Sequence, residues 1–207
     1  MVAQAQHYVP QFYLRAFAKK RRRSYYLVCY DKPSRRQFVS NVINIAQQTR
    51  FYDIPDDPVY GSGAEDFLRK GEPGWAQAIH TILTSPSTVR RPSVKDPLSE
   101  FAASLMSRTP SLRTEIAHIG EAASKRLLQH GVSLPQVSPD DLKRHQASLL
   151  VKQTPVYASI LREMAWVVVT NNTGAAFWTS DNPLVKYNPR VDELRGNLGL
   201  LSTGIQL

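Results

Sequence analysis

Near its N-terminus the chain reads His7-Tyr-Val-Pro-Gln-Phe-Tyr-Leu-Arg-Ala-Phe17. From Val9 onward, apolar side chains recur at positions i, i+3, i+4, i+7 and i+8, which is the spacing of one face of a short amphipathic helix. Pro10 stands at the first helical position, where a missing N–H is harmless, and it pushes Val9 toward extended geometry. The block therefore predicts an extended arm followed by a helix over residues 10–18.

Two strand patterns follow this helix. Residues 24–30 are rich in aromatic and β-branched side chains, and residues 36–42 alternate between polar and apolar side chains. The sequence Asp31-Lys-Pro-Ser34 between them has turn-forming residues, so the two runs predict a hairpin. A brief strand around residues 51–53 and a loop at 55–58 complete the N-terminal part.

The middle of the chain has helical spacing of its apolar residues. Residues 63–84 predict two helical pieces, because Gly71-Glu-Pro-Gly74 interrupts the pattern. Residues 85–96 are rich in Pro, Ser and Thr and predict a linker that marks a soft boundary. A long helix is expected over residues 101–127, with a kink at Pro110.

A further helix is predicted to begin at Ser138-Pro-Asp-Asp141. Ser can cap a helix, Pro fits its first position, and two acidic residues favour the positive end of the helix dipole. We expect this helix to stop near Thr154, because Pro155 follows, and a shorter helix to reach Met164.

A second hairpin is predicted where residues 166–170 and 175–179 flank the turn-rich Asn171-Asn-Thr-Gly174. No internal repeat is visible. Together these elements predict an α+β fold, a helix-rich single domain over residues 1–207 with a small, mostly antiparallel sheet built from two hairpins.

Composition excludes several classes of protein. With 42% apolar and 21% charged residues, the chain is neither disordered nor fibrous in composition, and it lacks the run of about 18 apolar residues that a transmembrane helix needs. Cys29 is the single cysteine, which excludes a disulfide within the chain, and no secretory signal is visible at the N-terminus. We expect a soluble, cytoplasmic protein.

Positive charge is concentrated near the N-terminus. The whole chain carries a net charge of +9, and residues 1–36 hold nine Lys or Arg against one Asp, a net +8. Such a patch attracts polyanions such as nucleic acid, independently of their sequence. The candidate phosphate contacts are Lys19, Lys20, Arg21, Arg22 and Arg23. The alternative for this run is a solvated loop between a helix and a strand.

Two blocks carry a resemblance to a known family. They are the N-terminal His-Tyr-Val-Pro-Gln block and Phe177-Trp-Thr-Ser-Asp-Asn-Pro183, with weaker matches at Glu65, Glu72 and Arg108-Thr-Pro110. Through them the chain resembles domain of unknown function 4238. The resemblance implies bacterial origin and a shared core of helices with a small sheet, and it implies no established activity. Family members usually continue past the strand around Ile205, so we expect this chain to lack the family's C-terminal end.

The first block has a polar edge. His7 lies in the extended arm, and Gln11 and Arg15 are four residues apart on one side of the helix, so the three could line one polar surface. On this interpretation His7 is a general base or a metal ligand, while Gln11 and Arg15 bind substrate. The alternative is structural: His7 bonds a backbone carbonyl, and the other two tie the helix to a loop.

The second block places a carboxylate at the end of a predicted strand. A sheet would fix Asp181 while the following loop leaves it exposed, which makes Asp181 a candidate catalytic residue and Asn182 a candidate substrate-binding residue. The alternative is an ordinary Asx or Ser turn. If the second hairpin packs beside the first helix, His7 and Asp181 will meet.

Glu65 and Glu72 could join Asp181 around a divalent metal ion. They lie seven residues apart and would share a face of an unbroken helix, and Mg²⁺ or Mn²⁺ prefers such oxygen ligands. Otherwise they belong to a solvated helix face. Arg108 is expected to bind an anion, such as a substrate phosphate, or to close a buried salt bridge to one of the glutamates.

These residues leave two hypotheses. The first is a metal-dependent phosphodiesterase or nuclease that acts on nucleic acid, and the second is a non-catalytic protein that binds nucleic acid or another partner. The chain has no Gly-rich phosphate loop, no Gly-x-Ser-x-Gly block and no paired Cys, so no other enzyme class is indicated.

Overall fold

Five α-helices and seven short β-strands are found in the described parts of the computed structural model, which are residues 5–54, 63–187 and 204–206. The strands are β1 (Ala5–His7), β2 (Lys19–Arg21), β3 (Ser24–Asp31), β4 (Arg36–Asn41), β5 (Gln47–Thr49), β6 (Val185–Tyr187) and β7 (Gly204–Gln206). The helices are α1 (Gln11–Arg15), α2 (Gly63–Thr84), α3 (Pro92–Arg108), α4 (Pro110–Gln129) and α5 (Pro139–Glu163). The α+β prediction is confirmed.

The helix α3 is the centre of the fold, because it packs against both α2 and α5. Its buried face is made largely of small side chains, which allow neighbouring helices to approach closely: Ser99, Ala102, Ala103, Ser104 and Ser107. Phe101 is the aromatic residue of this buried face. Its ring contacts the rings of Phe12, Tyr13 and Trp75 at centroid distances of 5.3, 5.8 and 6.0 Å. The first helix is thereby fixed to the helical core by aromatic packing.

The strands in the described parts of the chain form three small antiparallel sheets. The strand β1 pairs with β5, the strands β2, β3 and β4 form one sheet in that order, and β6 pairs with β7. The predicted first hairpin is therefore confirmed as β3 and β4. The basic run extends it: Lys19–Arg21 form β2, and Arg22 takes a positive φ of 56° in the tight turn before β3.

The prediction of two helical pieces at 63–84 is wrong, because α2 runs through Pro73 without interruption. An internal proline costs a helix about 3 kcal/mol. Trp75 and Leu68 are buried on either side of the proline. Burial of each large apolar side chain stabilises the folded state by about 1.5–3 kcal/mol, so together they offset the cost. The predicted stop at Pro155 is wrong for the same reason, since Leu150 and Leu161 are buried on the two sides of that proline in α5.

At Pro110 the chain breaks rather than kinks. Thr109 is extended, with φ −93° and ψ 157°, as expected for a residue that precedes proline, and Pro110 becomes the first residue of α4. The side-chain amide of Gln146 donates to the carbonyls of Ser107 and Thr109 at 2.9 and 3.0 Å, which satisfies acceptors left free by the end of α3. The break thus leaves Arg108 fixed at a helix end.

Other predicted elements differ in detail. The strand expected around residues 51–53 is found at Gln47–Thr49 instead, and the loop at 55–58 lies outside the described residues. The stretch predicted as a linker, 85–96, is folded: Pro86–Arg90 form a 3₁₀ turn with Thr88 and Val89 buried.

The second predicted hairpin does not form strands, although Trp166 and Val168 pack against the core. A local turn is present, because Asn171 accepts from the backbone N–H of Thr173 at 2.9 Å. Isolated two-stranded pairs are marginal in water, and the outward side chains of both arms find no cover among the described residues. The large exposed side chains are Val167, Val169, Phe177 and Trp178.

Ser138 caps α5 as predicted. Its hydroxyl accepts from the backbone N–H of Asp141 at 3.1 Å, and the Asp141 carboxylate accepts from the backbone N–H of Ser138 at 3.2 Å. Ser138→Ala is expected to lower the free energy of unfolding by about 1 kcal/mol. Urea denaturation measures this loss, with Ser133→Ala in the preceding loop as control. Equal midpoints for the two variants would show that the cap contributes nothing.

No helix in the described parts of the chain is both long and apolar enough to cross a lipid bilayer.

Candidate active site

A cleft of about 370 Å³ lies between β1, α2 and the C-terminal end of α3. Its lining includes four residues that the sequence singled out, two acidic and two basic. The lining residues are Ala5, His7, Glu65, Leu68, Arg69, Glu72, Pro73 and Arg108. The cleft is thus walled by ionisable groups from three separate parts of the chain.

The helix α2 supplies both carboxylates. Because the helix is unbroken, Glu65 and Glu72 lie two turns apart on the same face, as their spacing of seven requires. Burial and the nearby charge of Glu72 raise the pKa of the Glu65 carboxyl above its ordinary value of 4.5, and Arg108 offsets only part of this. Glu65 and Glu72 therefore repel one another across the cleft wall.

Arg108 supplies the buried positive charge. Its side chain is 1% exposed, and one guanidinium nitrogen, Nη2, donates to the backbone carbonyl of His7 at 2.8 Å and to Glu72 Oε1 at 3.2 Å. Its other two nitrogens, Nε and Nη1, are buried without a hydrogen-bond partner among the described residues. Arg108 thus joins β1 to α2 and retains hydrogen-bonding capacity.

The neighbours of Arg108 hold the end of α3 in place. The Tyr52 hydroxyl donates to the Arg108 carbonyl at 2.9 Å, and burial raises the pKa of Tyr52 to about 12, so this donor stays protonated. Gln6 fixes Tyr52 in turn, because its side-chain oxygen accepts from the Tyr52 backbone N–H at 2.7 Å and its amide donates to Asp53. A chain of hydrogen bonds through Gln6 and Tyr52 therefore connects β1 to the backbone of Arg108 at the end of α3.

His7 is the candidate base. Burial lowers the pKa of the imidazole below its ordinary value of 6.5, although hydrogen bonding to the backbone of Val42 and Ile43 and the charge of Glu72 oppose this. The imidazole is therefore predominantly neutral at pH 7. Its Nε2 is buried and has no hydrogen-bond partner in the described parts of the chain. A neutral imidazole with a free nitrogen can accept a proton or bind a metal ion.

Asp181 does not line this cleft. It lies exposed in a turn in which the Ser180 hydroxyl accepts from the backbone N–H of Asn182. Burial and, to a smaller extent, the charge of Asp181 raise the pKa of the half-buried Tyr8. Asn182 accepts from the Thr109 hydroxyl at 3.2 Å. The second block therefore packs near the break between α3 and α4, and the expected pairing of His7 with Asp181 is not part of the cleft.

The other predicted residues lie on other surfaces. Gln11 accepts from Arg15 at 3.2 Å on the exposed side of α1, and the Arg15 guanidinium lies 5.4 Å from the centre of the Tyr25 ring. The exposed basic residues Lys19–Arg23 form the edge strand β2 and its turn.

No group of three or more His, Cys, Asp or Glu side chains arranged to hold a metal ion occurs within the described residues. The predicted set of Glu65, Glu72 and Asp181 is consequently not brought together. Two carboxylates of that set remain in one cleft.

Two residues of the site were missed from the sequence. Arg69 follows Glu65 by four residues on the same helix face, so its spacing could have revealed it once α2 was treated as continuous. Its guanidinium is exposed and pairs with Asp66 at 3.1 Å. Tyr52 could not have been found, because it lies in a segment without periodicity and acts through a contact 56 residues away.

The model of one protein family matches residues 5–201, a range that includes both landmark blocks and all residues that line the cleft. The family is DUF4238, described as a protein of unknown function. The chain belongs to the DUF4238 family. Searches of curated proteins and of solved structures found no match. In this member of DUF4238, the candidate chemistry of the cleft rests on His7, Glu65, Glu72 and Arg108.

Proposed function

We propose that the cleft is the active site of a metal-dependent phosphodiesterase that acts on nucleic acid. The observation that carries the proposal is the convergence of His7, Glu65, Glu72 and Arg108 on one cleft from separate parts of the chain. Burial and neighbouring charges shift the pKa of Glu65 upward and the pKa of His7 downward, and such opposed shifts are common where acid–base chemistry is performed.

Glu65 and Glu72 are the proposed metal ligands. A divalent cation between them would relieve their mutual repulsion, and Mg²⁺ or Mn²⁺ is commonly held by one or two carboxylates together with substrate phosphate oxygens. A phosphate by itself would be repelled by the two carboxylates, so the proposal requires the metal. When bound, the metal supplies electrostatic stabilisation of the negative charge that develops on the phosphoryl oxygens.

His7 and Arg108 complete the proposed chemistry. The oxygen of a water molecule attacks phosphorus, His7 Nε2 takes the proton of that water, and the phosphorus–oxygen ester bond breaks. The leaving oxygen receives a proton from solvent. Arg108 has two unpaired guanidinium nitrogens within the described structure, and its fixed charge favours an anionic transition state without further reorganisation.

A second candidate function is non-catalytic binding of nucleic acid. The five consecutive cations Lys19–Arg23 are exposed, and none of them makes an ion pair within the described parts of the chain. Their charge is therefore available to phosphates.

Incubation of the protein with a single-stranded DNA, an RNA and a small aryl phosphodiester tests the proposal. We expect cleavage with Mg²⁺ or Mn²⁺ and none with EDTA. The double variant Glu65→Gln/Glu72→Gln should lose at least about a hundredfold in rate, because a metal ion contributes several kcal/mol to the transition state. Glu121→Gln, an exposed carboxylate on α4, is the matched control. Salt-sensitive binding without cleavage would reject the first function and favour the second.

Asp181→Asn is an additional arm of this assay. Retained activity is expected if the carboxylates of α2 suffice. A loss equal to that of the double variant would extend the site to the turn at 180–183.

Glu65→Gln separates the function of this carboxylate from its structural role. The pKa of Glu65 is higher in the folded state than in the unfolded state, so the protonated form favours folding. This stabilisation is fully present below the unfolded-state pKa near 4.5, and it is lost as the pH rises through the folded-state pKa. At pH 7 the ionised carboxylate is disfavoured by burial. Glu65→Gln should therefore keep or raise the melting temperature at pH 7 while activity falls. A lower melting temperature would mean that Glu65 is a structural residue.

A further inference from the structure

One face of the three-stranded sheet carries exposed apolar and aromatic side chains. In an antiparallel pair, residues directly opposite one another lie on the same face, so Tyr26, Val28 and Tyr30 of β3 share a face with their partners Asn41, Val39 and Gln37 of β4. The alternate residue Leu27 points into the core. Val28, Tyr30 and Val39 are 59%, 51% and 59% exposed. We call these six residues the outer face.

Positive charge borders the outer face. Lys19 of β2 is directly opposite Tyr26 and therefore lies on this face, and the Arg21 guanidinium is 5.8 Å from the centre of the Tyr26 ring. The single acid of the first 36 residues, Asp31, accepts from the backbone N–H of Ser34. The face thus combines aromatic rings with cations that have no acidic partner among the described residues.

An amide side chain stands beside each ring. Gln37 is directly opposite Tyr30, and Asn41 is directly opposite Tyr26. Asn41 Oδ1 accepts from the backbone N–H of Ile43. Its amide nitrogen and both polar atoms of exposed Gln37 make no hydrogen bond within the described structure, and amides can both donate and accept. This arrangement suits a planar ligand that offers a π-face and hydrogen-bonding edges.

We propose that the outer face binds single-stranded nucleic acid. A base stacks on the Tyr30 ring, and the amide of Gln37 meets the edge of that base, while Lys19 and Arg21 bind phosphates. At Tyr26 the Arg21 guanidinium already covers the ring, so a base there packs on the guanidinium plane. The two tyrosines are four residues apart on β3, roughly 13 Å, which leaves room for separate bases.

The features of the outer face select against other polyanions. A duplex offers phosphates to the cations, but its bases are stacked on one another and paired at their edges. They therefore cannot stack on Tyr30 or hydrogen-bond to Gln37. An anionic membrane surface also offers negative charge to the cations, but it offers no planar hydrogen-bonding edge to the amides beside the rings. The inference rests on the premise of the proposed function that the ligand is nucleic acid, and it specifies single strands as the substrate class. It requires no chemistry in the cleft.

Fluorescence anisotropy with a labelled 20-nucleotide strand, in EDTA to prevent cleavage, tests the inference. The single strand should bind more tightly than the duplex of the same sequence. Tyr30→Ala should weaken single-strand binding roughly 5- to 150-fold, the range for removal of one stacking ring, while Tyr30→Phe should restore it. Both substitutions are at an exposed position, and circular dichroism verifies the fold.

A matched pair of double variants separates the local patch from net charge. Lys19→Gln/Arg21→Gln should reduce the slope of log affinity against log salt by roughly 0.7 for each phosphate that the variant no longer neutralises. Arg90→Gln/Arg91→Gln removes the same charge from exposed positions away from the sheet and should change the slope less. Equal effects of the two double variants, or equal single-strand and duplex affinities, would overturn the inference.

Three further outcomes are informative, and the last two keep this inference distinct from the proposed function. Binding to vesicles of anionic phospholipid without binding to the single strand would overturn the inference in favour of a membrane surface. Cleavage of the small phosphodiester without strand binding would overturn the inference and leave the phosphodiesterase chemistry of the cleft intact. Tyr30-dependent strand binding without any cleavage would support the inference while rejecting the phosphodiesterase.

Discussion

Replacement of His7 by glutamine is expected to lower the rate of phosphodiester cleavage about 10²–10⁴-fold, the usual contribution of a general base. The backbone carbonyl of His7 accepts from Arg108 at 2.8 Å, and this hydrogen bond survives the substitution. The imidazole also hydrogen-bonds to the backbone of Val42 and Ile43, and the glutamine amide can donate in its place. Glutamine also preserves a polar side chain in a half-buried position. The loss should therefore appear in activity and leave the melting temperature nearly unchanged.

The pH profile identifies the role of His7. Its pKa is lowered from 6.5, so the neutral base is present above that lowered value and is lost as pH falls through it. Activity of the unmodified protein should fall on the acidic side, below pH 6.5, and His7→Gln should remove this dependence from the residual activity. His80→Gln, an exposed histidine of α2, is the control. A full rate with an unchanged profile in His7→Gln would rule out His7 as the base.

Gly71→Ala is expected to destabilise the protein by about 1–3 kcal/mol, although alanine is the better helix former. A Cβ at position 71 would lie 2.2 Å from Cζ2 of Trp75. Trp75 cannot move aside easily, because its ring is buried, packs against Phe67 and Phe101, and donates to Glu100 at 3.3 Å. The overlap has to be relieved by displacing the ring from the core.

Gly74→Ala is the matched control in the same helix. A Cβ at position 74 meets no atom within 4 Å, so only the helix propensity changes, and this variant should gain about 0.5–1 kcal/mol. Chemical denaturation of both variants measures the difference. Two stabilised variants would mean that Trp75 does not pack over position 71.

The two variants also bear on the cleft. Trp75 anchors the helix from which Glu65 and Glu72 project, and a displaced ring should shift that helix against α3. Gly71→Ala should therefore reduce activity as well as stability, while Gly74→Ala should leave activity unchanged.

The structure brings four of the predicted site residues into one cleft and leaves the other predicted residues outside it. His7 could be selected from sequence because it is a polar residue in a block that otherwise builds the core. Glu65, Glu72 and Arg108 were indicated by the family resemblance, together with the spacing of seven residues between the two glutamates. Asp181 had the same signal but lies in an exposed turn, since the strands expected to position it do not form. Turn residues and strand-end carboxylates have the same local sequence, so only the packing of the hairpin could separate them.

The basic run illustrates the same limit. Lys19–Arg23 predict a charged surface whatever their conformation, and that surface is present. Their strand geometry depends on pairing with β3, which places Lys19 beside Tyr26 and creates the outer face. Charge was thus predictable, whereas the proximity of cations to aromatic rings was not.

By itself the sequence determined the elements that local chemistry dictates. These are the turn between β3 and β4 and the capped start of α5 at Ser138, both set by turn chemistry or by hydrogen bonds between near neighbours. The helix predicted over residues 10–18 is shorter: Pro10 is extended, with ψ 143°, and precedes α1, which ends at Arg15. Tertiary structure alone decided that α2 continues through Pro73 and that Arg108 reaches His7 across 101 residues. The reason is energetic: burial of Trp75 and Leu68 outweighs the local cost of a proline, and that burial exists only once α3 is in place.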